Sequence, residues 1–344
     1  MSILLSRKDL KQLLMMTEVI EAVEKGFREY KTGRCAVPVR MPVRIEKAEG
    51  VFLFMPAYLE RENSFGTKII SVFPGNLSLG LSTLQAVYLL NDPTTGEFLA
   101  LMDGILLTAM RTGATSAVAT KYLSRENSET LGIIGTGAQA PFQAEAICQV
   151  RPIQRILVYD RELERAENFS KTVFKSLQIP VKVMATPRDV VMDSDILVTV
   201  TTSVIPVFDG RDLKTGTHIN AVGAYTPEMR ELDEVTVKKS KIVVDTYEGC
   251  MAEAGDLLIP MRDGKLNKEG IYADLGEIVL GQKHGRIRED EITLFESVGF
   301  ALEDLVTARL AYQRAKEKGM GLEFRLDETF NIKPANSSGR KKRW

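Results

Sequence analysis

Cysteine and histidine are scarce in this sequence, with three and two copies among 344 residues. Cys35, Cys148 and Cys250 lie far apart and make no Cys-x-x-Cys pair, so the sequence indicates neither a disulfide framework nor a zinc knuckle. We therefore predict a protein without a bound metal that resides in a reducing compartment, the cytoplasm.

Net charge and long apolar runs are also lacking. The formal net charge of −1 at pH 7 is too small to attract nucleic acid or an anionic membrane. The longest apolar stretches, such as residues 195–208, are shorter than the ~20 residues of a transmembrane helix, and the first nine residues lack the features of a secretory signal. These absences predict a soluble protein with no nucleic-acid or membrane partner, whose substrate is a small molecule bound at a local site.

The first third of the chain predicts helices followed by strands. Ser6 and Asp9 indicate a helix start, and the apolar spacing predicts a second helix from Thr17 to Gly33. Residues 39–46 then alternate apolar and polar, which predicts a strand. Further predicted strands span residues 51–58, 65–73, 84–90 and 97–102, before a helix over residues 105–123. Consecutive strands without helices between them imply an antiparallel or mixed sheet.

After Thr130 the pattern changes to short apolar runs that alternate with helical stretches, which predicts a parallel sheet covered by helices. The runs span residues 131–134, 156–159, 181–184, 196–200, 219–222 and 242–244, the strand count of a doubly wound dinucleotide fold. A last helix, over residues 301–318, lies outside this alternation. We therefore predict an α/β protein with a Rossmann domain at 119–299 and a discontinuous α+β substrate-binding and dimerisation domain at 1–118 and 300–344, which ends in a disordered basic tail from Asn336.

The strand at 131–134 leads directly into a Gly-x-Gly-x-x-Ala turn, Gly135 to Ala140. Gly135 permits the tight turn, Gly137 lets the backbone approach a pyrophosphate, and Ala140 lets the next helix pack close to the strand. A glycine-rich connection is the alternative, but the next strand ends in Asp160, at about the ~20-residue offset of a ribose-binding acid. We predict that this turn, with Ala138 and Gln139, binds a nicotinamide dinucleotide.

Asp160 favours NAD(H), because its carboxylate would bond the ribose hydroxyls and repel a 2′-phosphate. Arg161 leaves NADP(H) open, since an arginine at this place could stack on adenine or hold that phosphate. Asp160 could also be only the N-cap of a helix over residues 161–174.

Several motifs in the same order resemble the ornithine cyclodeaminase and mu-crystallin family. They are Met55-Pro56-Ala57-Tyr58, Thr108 to Ala114, Gly135 to Ala140, His218 to Ala224 and Phe295 to Gly299. This resemblance covers nearly the full length, and the family contains ornithine cyclodeaminases, alanine dehydrogenases, ketimine or pyrroline-2-carboxylate reductases, and the NADPH- and thyroid-hormone-binding mu-crystallin. It implies a homodimer that forms through the strand domain, but it does not by itself settle the reaction.

The resemblance implies that Arg40, Lys68 and Arg111 bind the substrate carboxylate. A planar guanidinium and an ammonium suit that anion, although each cation alone could be a solvated surface charge. Arg111 lies among apolar and small residues, so we expect it to point into a cleft. The same resemblance places Ser297 beside the substrate and the cofactor. It also places six residues at the cofactor: Arg111, Thr201, Thr202, Ala221, Val222 and Gly223. For the five of these that follow Arg111, the alternative is packing at the ends of strands.

Two positions depart from the cyclodeaminases of this family: Tyr225 and Leu53 stand where those enzymes carry catalytic carboxylates. Neither residue is a general base at neutral pH, whereas reduction of a cyclic ketimine mainly requires that substrate and nicotinamide be held face to face. We predict an NAD(P)H-dependent reduction of Δ1-pyrroline-2-carboxylate or Δ1-piperideine-2-carboxylate, with Lys68 or Tyr225 as proton donor and His218 as a core residue. The alternatives are an alanine dehydrogenase-like reductive amination, an ornithine cyclodeaminase, and a non-catalytic binding protein.

Overall fold

The computed structural model describes residues 1–325. Strands in the first part of the chain are β1 (Ser2–Leu5), β2 (Cys35–Ala36), β3 (Met41–Ile45), β4 (Gly50–Leu59), β5 (Ser64–Val72), β6 (Leu84–Asn91) and β7 (Phe98–Asp103). Helices in this part are α1 (Arg7–Leu13), α2 (Met16–Lys31) and α3 (Gly104–Leu123). The predicted Ser6–Asp9 start is present as a capping box, in which each side chain bonds the other residue's backbone N–H.

The second part of the chain forms an eight-stranded parallel sheet of order β10-β9-β8-β11-β12-β15-β13-β14. Its strands are β8 (Thr130–Ile134), β9 (Arg155–Tyr159), β10 (Val181–Val183), β11 (Ile196–Thr199), β12 (His218–Ala221), β13 (Ser240–Val244), β14 (Ile271–Asp274) and β15 (Ile292–Glu296). Its helices are α4 (Ala140–Cys148), α5 (Leu163–Leu177), α6 (Pro187–Asp193), α7 (Glu234–Lys239), α8 (Tyr247–Glu253), α9 (Gly255–Arg262) and α10 (Leu275–Val279). The predicted α/β class with a parallel sheet is confirmed.

Two strands of this parallel sheet are absent from the sequence prediction, β14 and β15. The apolar run of β15 is interrupted by Thr293 and ended by Glu296, both of which are buried. β15 lies between β12 and β13 and pairs with both of them. Its carboxyl end therefore brings Ser297 beside the ends of the nucleotide-fold strands.

The chain closes with α11 (Ala301–Lys318) and β16 (Leu322–Phe324). β16 pairs with β1, and β1 runs parallel to β7 while the remaining strands of this first sheet are antiparallel, so the predicted antiparallel or mixed sheet is a mixed one. α11 packs back on the first part of the chain as expected, and its Leu305 shares one apolar core with Phe27 and Leu107. That return places the first turn of α11 beneath β4 and β5.

No helix within residues 1–325 is long and apolar enough to cross a bilayer. The basic tail that the sequence predicts from Asn336 lies outside the described residues.

Candidate active site

A cavity separates the first sheet from the carboxyl ends of β8, β11, β12 and β15. Its lining brings together most of the side chains that the sequence singled out, namely Arg40, Leu53, Lys68, Arg111, Gly137, Ala138, Gln139, Thr201, Thr202, Val222, Gly223, Tyr225 and Ser297. Ala221 is absent from that lining, because it is buried within β12. Carboxyl ends of parallel strands are the usual ligand-binding edge of such a sheet.

A second cavity adjoins the first one. The two share Gly137, Thr201 and Thr202, and the second continues to Asp160 and Arg161. The two cavities together suit the length of a dinucleotide. One end of this space lies at the end of β9, and the other lies beside Arg40, Lys68 and Arg111.

The turn after β8 fits a dinucleotide phosphate. Gly135 has a φ of +98°, and a Cβ there would lie 2.8 Å from the carbonyl oxygen of Val200, so glycine is required. A Cβ on Gly137 would meet nothing within 4 Å, so the backbone there faces open space. Helix α4 then begins at Ala140 with its N-terminus at this turn.

Asp160 closes the same turn from β9. Its carboxylate accepts hydrogen bonds from the backbone N–H of Thr136 at 2.8 Å and from the Thr136 hydroxyl at 2.7 Å. Partial burial opposes ionisation, but these bonds and one from the backbone of Glu162 lower the pKa of Asp160. The N-cap of the next helix is Glu162, and α5 begins at Leu163, so the interpretation of Asp160 as that helix cap is wrong. Asp160 instead bonds Thr136 through Oδ2 and the backbone N–H of Glu162 through Oδ1.

Lys68 is fully buried on β5, with 1% of its area exposed. Its Nζ lies 2.7 Å from Oδ2 of Asp304 on α11. Burial lowers the pKa of Lys68 to about 8, with Asp304 acting against that shift and the nearby Arg111 and Arg40 adding to it. An ammonium with such a pKa can release its proton near neutral pH.

Arg111 on α3 points into the region between the cavity and α11. Its Nη1 lies 2.6 Å from Oε2 of Glu303, and its Nε lies 3.2 Å from Oδ1 of Asp304. A Cβ on Gly299 would come within 2.9 Å of the same guanidinium, so the loop after β15 packs directly on it. The expected cleft position of Arg111 agrees with this geometry.

Arg40 completes the cation set from the segment before β3. Its Nε donates to Glu253 at 2.6 Å, and its Nη2 donates to the backbone oxygen of Tyr225 at 3.2 Å. Arg40 thereby ties the first sheet to the segment that follows β12.

Glu303 and Asp304 are buried acids of the site that sequence reasoning missed. Burial raises the pKa of Glu303 to about 7, and Arg111 opposes that rise. Their only sequence signal is an acidic pair inside an apolar stretch, since Leu302 and Leu305 flank them. Acids are common in the first turn of a helix because they interact favourably with the helix dipole. The pair therefore does not stand out in the sequence as part of a site.

A third missed acid, Asp245, holds the loop after β15. Its Oδ2 accepts hydrogen bonds from the Ser297 hydroxyl, the Val298 N–H and the Gly299 N–H, each at 2.9 Å. Ser297 thus lines the cavity with its hydroxyl already directed to Asp245.

His218 belongs to the core rather than to the cavity. Its Nδ1 lies 3.0 Å from the Thr293 hydroxyl. Burial, followed by the charge of Arg286, lowers the pKa of His218 to about 3, which keeps the imidazole neutral.

Comparison with known proteins matches nearly the whole chain. The sequence model of the ornithine cyclodeaminase/mu-crystallin family matches residues 1–319. A Δ1-pyrroline-2-carboxylate reductase of Bacillus cereus is 39% identical over 320 residues, which are 93% of this chain and 98% of that protein.

Solved structures also match nearly the whole chain. The structure of Thermococcus litoralis Δ1-pyrroline-2-carboxylate reductase in complex with NADH and L-proline matches with a TM-score of 0.91 and 48% identity, over 94% of this chain and 100% of that one. An archaeal alanine dehydrogenase, a dimer with bound NAD, matches with a TM-score of 0.89 and 36% identity, over 94% of this chain and 99% of its own.

Proposed function

This chain belongs to the ornithine cyclodeaminase/mu-crystallin family, and we propose that it is an NAD(H)-dependent reductase of cyclic imino acids. Its substrate is Δ1-pyrroline-2-carboxylate or Δ1-piperideine-2-carboxylate, and its product is proline or pipecolate. The observation that carries the proposal is the 48% identity over nearly the whole chain to a reductase whose structure holds NADH and L-proline. NADPH is a secondary cofactor, because Arg161 lies beside Asp160 in the second cavity and could hold a 2′-phosphate.

The cations of the cavity support an imino acid as ligand. Arg111 and Arg40 carry guanidinium groups that can hold the substrate carboxylate, although each already pairs with a buried or half-buried acid. Such charge-assisted bonds would orient the imino-acid ring toward the wall formed by Thr201 and Gly223, where the nicotinamide ring would lie.

NADH, when bound, supplies the hydride that adds to the carbon of the substrate C=N bond. Lys68 supplies the proton: its ammonium donates to the imine nitrogen, so that the imine gains one hydride and one proton and becomes a secondary amine. Asp304, 2.7 Å from Nζ, holds the ammonium in place before the transfer and stabilises it again when solvent returns the proton. Tyr225 lines the same cavity and is the second candidate donor.

Reductive amination of a 2-oxo acid is the second candidate, because the archaeal alanine dehydrogenase is 36% identical to this chain. Ornithine cyclisation is disfavoured, because Leu53 and Tyr225 occupy the cavity wall where cyclodeaminases carry acids. Neither leucine nor tyrosine supplies a carboxylate base.

A substrate panel tests this ranking. We expect the purified protein to oxidise NADH faster than NADPH with Δ1-pyrroline-2-carboxylate or Δ1-piperideine-2-carboxylate, measured at 340 nm. Pyruvate with ammonia serves as the comparison for reductive amination, and ornithine with NAD⁺ as the comparison for cyclisation. Faster turnover of pyruvate with ammonia, or release of ammonia from ornithine, would contradict the proposal.

A homodimer through the first sheet is part of the proposal. All five residues of β3 are exposed, and Met41, Val43 and Ile45 are apolar among them. An exposed apolar edge strand is a natural pairing surface, and the archaeal relative is a dimer. Light scattering should therefore give twice the mass of one chain, and Val43→Glu should shift the protein to the monomer. A monomeric wild type would overturn the assembly.

The cytoplasm is the compartment we propose. Within the described residues Cys35, Cys148 and Cys250 are free thiols, which persist in a reducing environment. Fractionation of the cells that make the protein tests this location, and recovery from the secreted fraction would contradict it.

A further inference from the structure

The ends of β11 and β12 form one wall of the cavity, and the end of β8 packs closely against it. A Cβ on Gly223, after β12, would lie 2.3 Å from the carbonyl oxygen of Thr201, after β11. A Cβ on Gly135, after β8, would lie 2.8 Å from Cγ2 of Thr201. Small changes in the separation of these segments therefore change the shape of the wall.

Glu231 joins two of these strand ends. One of its carboxylate oxygens accepts the Thr201 N–H at 2.6 Å, and the other accepts the Gly223 N–H at 2.9 Å. The side chain is completely buried and lines neither cavity. Glu231 thus reaches the cavity only through the backbone of its two partners.

The segment that carries Glu231 is itself fixed. Oδ1 of Asp256 accepts the N–H of Glu231 at 2.7 Å and that of Leu232 at 2.6 Å. The carbonyl oxygen of Glu231 accepts the Val207 N–H at 2.8 Å. The carboxylate is therefore a rigid bridge between the strand ends.

The carboxyl group presents a separate oxygen to each partner. Burial raises the pKa of Glu231, and the N–H groups of Thr201 and Gly223 act against that rise. An amide in the same place has one oxygen, so its NH₂ group would face one of the two N–H donors. The Glu231→Gln variant keeps the volume of the side chain and breaks one half of the bridge.

We propose that Glu231 is a positioning residue, which sets the separation of Thr201 from Gly223 and with it the place of the nicotinamide ring against the substrate. This inference rests on the proposed function, in which the ring lies along that wall. Loss of the bridge should then slow hydride transfer more than it weakens binding.

The test compares Glu231→Gln with Asp233→Asn. Asp233 is the matched control, because it also bridges two segments: it accepts the Gly210 N–H at 3.0 Å and the Thr236 N–H at 2.8 Å, and it lines neither cavity. We expect Glu231→Gln to lower kcat roughly a hundredfold, the effect of about a 1 Å misplacement. KM for the imino acid should change little, and the isotope effect with 4-deuterated NADH should rise. Asp233→Asn should lose thermal stability and keep kcat.

Fluorescence of bound NADH without substrate gives a readout independent of turnover. The anisotropy of the nicotinamide should be lower in Glu231→Gln than in the wild type at saturating protein, while Asp233→Asn should match the wild type. A wild type that binds NADH but reduces no imino acid would overturn the proposed function, and the anisotropy comparison would still decide the role of Glu231.

An unchanged kcat and anisotropy in folded Glu231→Gln, with only a lower melting temperature, would overturn the positioning role. If Glu231→Gln does not fold, Gly223→Ala replaces it, since the added Cβ would displace the carbonyl of Thr201 and Cδ of Glu231. That variant should show the same loss of kcat and of anisotropy, and wild-type values in it would equally contradict the proposal.

Discussion

Replacing Lys68 with methionine should lower kcat for imino-acid reduction by ~10²- to 10⁴-fold, the range that general acids contribute. Methionine keeps the length of the side chain and removes the ammonium beside Asp304, so the substrate nitrogen loses its proton donor. Steady-state kinetics with NADH and either cyclic imino acid measure the effect. NADH affinity, measured by fluorescence titration, should stay near the wild-type value, because the nucleotide contacts lie on the other wall.

The pH dependence of the wild-type activity also tests Lys68 as the proton donor. The pKa of Lys68 is about 8, so the protonated fraction is lost as the pH rises through that value. kcat/KM should therefore be high below pH 8 and should fall above it. Lys68→Arg is the matched control: it keeps the charge near Asp304 but does not titrate in this range, so whatever activity remains should lack this fall. A wild-type kcat in Lys68→Met would leave Tyr225 as the donor.

Local sequence pattern was sufficient for the elements whose periodicity matches their burial. The strand-like runs at residues 51–58 and 65–73 predicted β4 and β5, and the apolar runs before Gly135 and Asp160 predicted β8 and β9. In each of these strands the apolar residues are largely the ones that the fold buries, so the local pattern alone identifies the strand.

Sequence pattern failed where polar residues are buried. β15 was missed because Thr293 and Glu296 leave it only a short apolar run, although neither is exposed in the fold. Their burial depends on β15 entering between β12 and β13, a pairing of strands distant in the chain that no local window contains.

The same limit explains the site. Arg40, Lys68 and Arg111 were predicted from the resemblance to the family, and all three line one cavity. Glu303 and Asp304, their partners, have no such motif signal, since acids in a first helical turn are usually solvated. Only the return of α11 onto the first sheet buries them.

Replacing Arg111 with alanine should raise KM for the imino acid roughly ten- to a hundredfold, since loss of a charge-assisted bond to the carboxylate costs ~1.5 to 3 kcal/mol. The structure adds a second effect, because Glu303 and Asp304 would be left buried without their guanidinium, which should destabilise the fold by about 3 to 5 kcal/mol. Arg125→Ala is the matched control: it breaks an ion pair with Asp195, at 2.8 Å, that lies away from the cavity. It should lower stability without raising KM.

The two effects of Arg111→Ala separate by pH. The pKa of Glu303, about 7 in the wild type, already lies above the unfolded value of 4.5 because of burial, and removal of Arg111 takes away the charge that lowers it. A carboxyl group whose pKa is higher in the folded than in the unfolded protein stabilises the folded state at low pH. That contribution to the free energy of unfolding is lost as the pH rises through the folded pKa. The melting temperature of the variant should therefore fall further below that of the wild type at pH 8.5 than at pH 6. A pH-dependent stability loss with an unchanged KM would show that Arg111 serves only as the counter-ion of the two acids, and the carboxylate site would then consist of Arg40 and Lys68.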